Sequence, residues 1–267
     1  MSALGHLVAP IFIPADRPER FAKAAASGAD GIILDLEDAV APENKYQARQ
    51  SLCADFTDLP VVVRINAPGT AWYDDDMAVV ARLPVAAIMV PKAEKPASLA
   101  VIAAAKPVLA LIETARGLAA ARDIAACGHA GRLAFGSVDY AADLGCAHTR
   151  EALSAARLEV VLASRLGGLP APIDGVTLGL GDMTVAGEDA AYARGLGFGG
   201  KLLIHPAQAG PVSAAFSLTA EEQEWALQVL STKSGGVVTI NGEMVDEPVR
   251  RRARAILARA APPAPSE

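Results

Sequence analysis

Eight short runs rich in β-branched residues recur along this chain, and the segments between them show apolar spacing near 3.6 residues. The chain has 267 residues, 52% hydrophobic and only 20% charged. That is enough for one large domain, and at this length roughly three quarters of the unfolded surface can be removed from water. These observations predict an α/β fold, a (β/α)8 TIM barrel, because parallel strands need right-handed helical crossovers. A doubly wound open sheet is the alternative; the count of eight favours closure.

The runs are HLVAPIFIP (6–14), DGIILDLED (30–38), PVVVRINA (60–67), VAAIMVPKA (85–93), PVLALIET (107–114), RLAFGSVD (132–139), IDGVTLGLGD (173–182) and KLLIHP (201–206). The helical segments among them are ERFAKAAAS, ENKYQARQSL, SLAVIAAA, GLAAARDIAAC, REALSAARLEVVLASRL and EDAAYARGLG. Ala-rich helices with few aromatics suit close packing on a sheet. Beyond the eighth run, PAQAGPVSAAFSL and TAEEQEWALQVLSTK read as helices. GGVVTINGEMVDEPV reads as a hairpin turning at Asn241-Gly242, a strong two-residue turn signal. A last helix, EPVRRRARAILARA, precedes APPAPSE, whose composition predicts disorder. The expected organisation is a barrel over 1–210, C-terminal helices and a hairpin flap over 211–260, and a tail over 261–267. The extension is not needed to close a barrel, so it is expected to cover a site or to contact another subunit.

Charge and cysteine content narrow the partners. The net charge is -6 and the pI near 5.3, with Lys and Arg dispersed, so no nucleic-acid footprint is expected. The one dense patch, Arg250-Arg251-Arg252 with Arg254, reads as a solvated helix end favoured by the dipole. Cys53, Cys127 and Cys146 are far apart and odd in number, which predicts reduced thiols and a cytoplasmic location. Neither a signal peptide nor a membrane-spanning stretch is expected.

In a parallel barrel, chemistry belongs at the C-terminal strand ends. Those positions hold Asp16 and Arg17, then Asp35, Glu37 and Asp38, then Arg64 and Asn66, then Lys92, Glu113, Asp139, Asp182 and His205. Burying unpaired charge is costly, so this convergence predicts a site rather than packing. Glu113 and Asp139 are the metal candidates, since Mg2+ takes one or two protein carboxylates and leaves other positions to water and substrate. The alternative for Glu113 is an ion pair with Arg64 or Lys92. Arg64, set among apolar residues, suits a substrate carboxylate held bidentately or a structural pair with Glu37 or Asp38. His6, His129 and His148 read as surface or capping residues, and His205 as hydrogen-bonded within its own loop.

The segments PADRPERFAKA, GIILDLEDAV, VVVRINA, VPKAE, LIETARG, FGSVDYAADLG, GFGGKLLIHPAQ and GEMVDEPVRRRA, in this order, resemble the motifs of citrate lyase β-subunit-like proteins. These belong to the HpcH/HpaI aldolase superfamily, with malyl-CoA and citramalyl-CoA lyases as relatives. The resemblance runs from Ile11 to Ala258 and implies a barrel that binds Mg2+ through Glu113 and Asp139. It implies that Arg64 binds the oxo-acid part of the substrate, and that Phe12, Arg17 and Lys23 contact CoA. It implies that Asp246 is an acid/base reaching in from a neighbouring subunit of a homotrimer or hexamer. From the residues alone, Asp246 equally suits the N-cap of the last helix, with Pro248 in its first turn. Two departures stand out: Val138 replaces a usual acid before Asp139, and VTLGLGDMTVAG is less acidic than its counterparts.

The implied reaction is reversible Claisen-type cleavage of citryl-, malyl- or citramalyl-CoA to acetyl-CoA and a 2-oxo acid. Arg64, Asp246, Glu37 and Asp38 are the candidate catalytic residues; Arg64, Glu113, Phe12, Arg17 and Lys23 are the candidate substrate contacts. The other readings are a CoA-independent HpaI-type aldolase giving pyruvate and an aldehyde, and a β-subunit of a citrate lyase complex.

Overall fold

A computed structural model describes residues 3–231, 238–240 and 243–260. The chain divides into two compact units, 1–216 and 217–267.

In the first unit the strands are β1 (Pro10–Pro14), β2 (Gly31–Asp35), β3 (Val61–Arg64), β4 (Ala87–Val90), β5 (Val108–Ile112), β6 (Arg132–Phe135), β7 (Ile173–Asp174) and β8 (Gly200–Lys201). They form one parallel sheet in sequence order. The ring closes where Lys201 N donates to Val8 O, Leu203 N to Pro10 O and Phe12 N to Leu203 O. The (β/α)8 barrel that the sequence predicts is therefore the fold. The helices are α1 (Phe21–Ala25), α2 (Lys45–Gln50), α3 (Tyr73–Val80), α4 (Pro96–Ala105), α5 (Ala115–Ala119), α6 (Ala121–Ala126), α7 (Ser137–Leu144), α8 (Arg150–Leu166), α9 (Thr184–Leu196) and α10 (Ala209–Phe216).

Strand alternation sorts the core into two layers. Ile33, Val62, Met89, Leu109, Leu111, Ala134, Ile173 and Leu202 fill the barrel interior. Their neighbours Ile32, Leu34, Val61, Val63, Val108, Ala110, Ile112 and Phe135 pack outward against the helices. At the N-terminal end, the buried Arg132 guanidinium donates to the carbonyls of Leu4, Leu7 and Ala171, satisfying it without a carboxylate contact.

Every strand is shorter than its sequence run, and in two cases this moves a candidate site residue. The run 132–139 stops at Phe135; Gly136 breaks it and α7 begins at Ser137, so Asp139 lies in a first helical turn, not on a strand end. An acid there is favoured by the helix dipole. The run 173–182 yields only Ile173–Asp174. Gly175, Gly179 and Gly181 weaken it as a strand, and Thr177 O turns to the Gln208 side chain. Asp182 is consequently exposed in a loop, where its Oδ1 accepts from Thr184 N and Oγ1.

The second unit holds α11 (Ala220–Ser231), the antiparallel pair β9 (Val238–Ile240) and β10 (Glu243–Val245), and α12 (Glu247–Ala260). The predicted turn at Asn241-Gly242 and the tail 261–267 lie outside the described residues. Ala226, Val229, Val245, Ala253 and Ile256 form the unit's core. The arginine patch is exposed at Arg251, Arg252 and Arg254, as a solvated face requires, but it lies mostly in the N-terminal half of α12 rather than at the dipole-favoured end. Arg250 is buried and donates to Val229 O, Arg252 stacks on Trp225 and Arg254 pairs with Glu247.

Candidate active site

The parity that fills the barrel with Ile33, Val62, Leu109 and Leu111 carries on upward. Two residues beyond Ile33 stands Asp35, two beyond Val62 stands Arg64, and two beyond Leu111 stands Glu113. The apolar interior thus gives way to charge at the C-terminal rim, around a cavity of about 240 Å3. Its wall includes Phe12, Asp35, Asp38, Arg64, Glu113 and Asp139.

Asp35 and Arg64 are register partners on β2 and β3. Arg64 Nε donates to Asp35 Oδ1 at 2.7 Å and Nη2 to Oδ2 at 2.6 Å, a bidentate pair. Asp35 also accepts from the Glu37 and Ala39 amides, and so organises the loop after β2. Arg64 Nη1 lies 3.0 Å from Glu37 Oε2 and 3.8 Å from Asp38 Oδ2, while the guanidinium packs on the Phe12 ring at 4.9 Å. The structural pair with Glu37 that the sequence offered beside a substrate carboxylate is therefore present, and Asp35 occupies the Nε–Nη2 fork in addition. Burial opposes the Arg64 charge, but Asp35 and Glu37 outweigh it and hold the side chain firmly protonated.

Glu113 is 1% exposed. Its Oε1 accepts from Lys92 N at 2.8 Å, whereas its Oε2 has no hydrogen-bond partner among the described residues. Lys92 reaches this position with φ of 48°, a left-handed conformation uncommon outside glycine and costing about 1–3 kcal/mol. Its Nζ pairs with Glu37 Oε1. Behind Glu113, Gly136 leaves no room for a side chain: a Cβ there would meet Glu113 Cβ and Oε2 at 2.5 Å. Burial, then the neighbouring Glu37 charge, pushes the Glu113 carboxyl up to about 8, with Arg64 and the Lys92 amide opposing. Glu37 is itself raised by burial against the pull of Arg64 and Lys92.

Around this rim the ion-pairing cations are Arg64 and Lys92, and the carboxylates are Asp35, Glu37, Asp38, Glu113 and Asp139. With Lys45, whose buried ammonium sits on the Leu36 and Glu37 carbonyls, three positive against five acidic groups leave two formal negative charges in excess, beside a buried oxygen without a partner among the described residues. Among the described residues no group of three or more His, Cys, Asp or Glu forms a metal cage. Two carboxylates facing an open cavity instead fit a hard cation that keeps positions for substrate oxygens.

Other expected residues fall elsewhere. Arg17 and Lys23 are exposed on the loop after β1 and on α1, and Arg17 Nε sits 4.0 Å from Asp16 Oδ1. His205 Nδ1 accepts from Ala207 N within its own loop. Asp246 belongs to the second unit, where its Oδ1 accepts from Val249 N and caps α12. Three residues were missed as site components, and Lys92, expected at the rim, meets Glu113 through its backbone amide rather than its ammonium group. Gly136 acts through the space it leaves, for which the Phe135-Gly136 break was the available signal. Ser137, buried in the cavity wall, and His148, whose Nε2 lies 3.0 Å from Ser137 Oγ, gave none. His148 is thus a partnered residue rather than an isolated one.

Residues 9–206 match the family model for HpcH/HpaI aldolase/citrate lyase, and residues 187–262 match that for a C-C bond lyase of the TIM-barrel fold. A citrate lyase subunit beta-like protein of Mycobacterium tuberculosis is 40% identical over 264 residues, covering 94% of each chain. A (3S)-malyl-CoA thioesterase of Cereibacter sphaeroides is 34% identical over 266 residues, covering 94% of this chain and 93% of its own. The crystal structure of CitE from M. tuberculosis in complex with magnesium, acetoacetate and coenzyme A superimposes with a TM-score of 0.86 at 38% identity. It covers 96% of this chain and 99% of that one. Among the described residues no helix is long and apolar enough to cross a membrane.

Proposed function

The chain belongs to the HpcH/HpaI aldolase/citrate lyase family, and from that premise we propose a Mg2+-dependent carbon–carbon lyase acting on a 3-hydroxyacyl-CoA-type thioester. Citryl-, malyl- and citramalyl-CoA are its candidate substrates, each giving acetyl-CoA and a 2-oxo acid by reversible Claisen-type cleavage. The observation that carries this reading is Glu113 Oε2, buried and without a hydrogen-bond partner among the described residues, in a wall that also holds Asp35, Asp38 and Asp139.

Glu113 and Asp139 would hold Mg2+, which supplies Lewis-acid polarisation of substrate oxygens and eases loss of the hydroxyl proton. Arg64, fixed in place by Asp35 and Phe12, would share Nη1 between Glu37 and the negative charge developing on the oxo-acid portion. Glu37, raised above the usual carboxylate range by burial and tied to Lys92 and Arg64, is positioned to exchange a proton at the rim with Asp38 beside it. Asp246 would give the enolate carbon its proton, entering from a neighbouring subunit of a trimer or hexamer. Arg17 and Lys23 supply exposed cations for the phosphates of CoA, in a protein of the cytoplasm.

Turnover of a small panel of acyl-CoA thioesters with Mg2+, in both directions, tests the reading. Glu113→Ala and Asp139→Ala should lose Mg2+-dependent cleavage; full activity of both in chelator-treated buffer would sink the metal assignment. The assay should score free CoA beside acetyl-CoA, because a relative carries a thioesterase name. Pyruvate released from a free hydroxy-oxo acid, with no CoA binding by calorimetry, would move the assignment to the HpaI-type aldolases.

A further inference from the structure

Ser137 stands in the cavity wall between the glycine that backs Glu113 and the helical turn that carries Asp139. It is 1% exposed, yet its hydroxyl does not end in the core. Ser137 Oγ lies 3.0 Å from His148 Nε2, and His148 reaches the solvent from the loop between α7 and α8. Gly175, at the end of β7, makes room for this hydroxyl, since a Cβ there would collide with Ser137 Oγ and Cβ. One side of the pair thus faces the cavity and the other faces water, with a single hydrogen bond joining them.

Charged groups around His148 set how readily it holds a proton. Asp174, register partner of Lys201, is clasped by Arg157 Nε at 2.8 Å and Lys201 Nζ at 2.9 Å, all three buried. That triad carries one surplus positive charge, and Arg157 Nη1 has no hydrogen-bond partner among the described residues. Asp189, on α9, is engaged by Arg150 and Thr177. Partial burial, then Arg157 and Lys201, holds His148 below the usual histidine range, while Asp174 and Asp189 pull the other way. Burial and the two cations favour the uncharged imidazole, and in its Nδ1–H tautomer Nε2 accepts from Ser137.

We propose that Ser137 and His148 form a proton relay between the cavity and solvent, through which the proton lost by the substrate hydroxyl leaves. This rests on the lyase reading above. As the substrate O–H bond breaks, its proton passes to Ser137 Oγ. The proton already on Oγ passes to His148 Nε2, and the imidazolium then releases a proton to water. Ser137 ends as it began, and no oxidant or other reactant is consumed. His148 acts through Ser137 and touches no substrate, so it positions and relays.

Ser137→Ala and His148→Ala are the test, with turnover, Mg2+ calorimetry and NMR of the metal-free protein read together. General acid–base contributions set the expected loss in kcat at about a hundredfold for each variant, with KM and Mg2+ affinity unchanged. Added imidazole should restore His148→Ala, whose cavity mouth is open to solvent, and should leave Ser137→Ala as it was. The acid limb of the wild-type kcat profile should vanish in His148→Ala. In the metal-free protein, Ser137→Ala should alter the 15N shifts and titration of His148. An active wild type with unaffected variants, or a His148 titration indifferent to Ser137→Ala, overturns the relay alone. A wild type inert toward every thioester overturns the lyase reading, and the relay with it.

Discussion

Consider Glu113→Gln in the metal-free protein. The folded carboxyl titrates at about 8 instead of its usual 4.5, because burial and then Glu37 disfavour its charge. Between those values the folded state keeps a proton that the unfolded state has released, so stability falls as pH rises through this window. At about 1.4 kcal/mol per pKa unit, the penalty above the folded value amounts to several kcal/mol, an order of magnitude that suits a site 1% exposed. Glutamine resembles the protonated acid, still accepts from Lys92 N and does not titrate. Urea unfolding with chelator present should therefore give near-equal stability for the two proteins around pH 4, and a more stable variant by several kcal/mol around pH 8.5. Mg2+ should reverse the order at the higher pH, stabilising the wild type by mass action and leaving the variant unmoved. If the difference between the two proteins does not change with pH, or if Mg2+ stabilises both equally, Glu113 is neither the strained acid nor the metal ligand argued here.

Gly136→Ala brings a Cβ to 2.5 Å from Glu113 Cβ and Oε2; overpacking of this kind costs about 1–3 kcal/mol, and the displaced carboxylate should weaken Mg2+ at least tenfold by calorimetry. Asp35→Ala removes the bidentate partner of buried Arg64, and breaking such a pair costs about 3–5 kcal/mol in a urea midpoint experiment, together with most turnover. Asp246 permits a separation of roles: Asp246→Asn keeps a capping side chain for α12, whereas Asp246→Ala loses about 1 kcal/mol of helix stability. Equal loss of activity in both, with melting affected only in the alanine variant, identifies an acid/base; activity that follows melting identifies a cap.

The eight strands and the inward-facing charges were legible because both follow from period. Alternation along VVVR and VLALIE places Arg64 and Glu113 on the face of Val62 and Leu111 without knowledge of any neighbour. Pairing was not legible in the same way, because it depends on register between strands. Arg64 was weighed against Glu37 and Asp38, and it does meet Glu37, but the β2–β3 register also sets Asp35 directly beside it. Lengths were obscured where glycine intervenes, which moved Asp139 onto α7 and Asp182 into a loop. Least legible was His148, eleven positions from Ser137 and brought to it by the chain between α7 and α8. Each step away from period leaves fewer local constraints, and the surplus negative charge shows why that matters for the site. It is a property of the closed ring, since Asp35, Glu37, Glu113 and Asp139 arrive from three separate βα connections. Each acid by itself is an ordinary polar residue at a strand end. Together, with Arg64 and Lys92 already engaged, they leave Glu113 Oε2 without a partner, and that oxygen is what a divalent cation would satisfy.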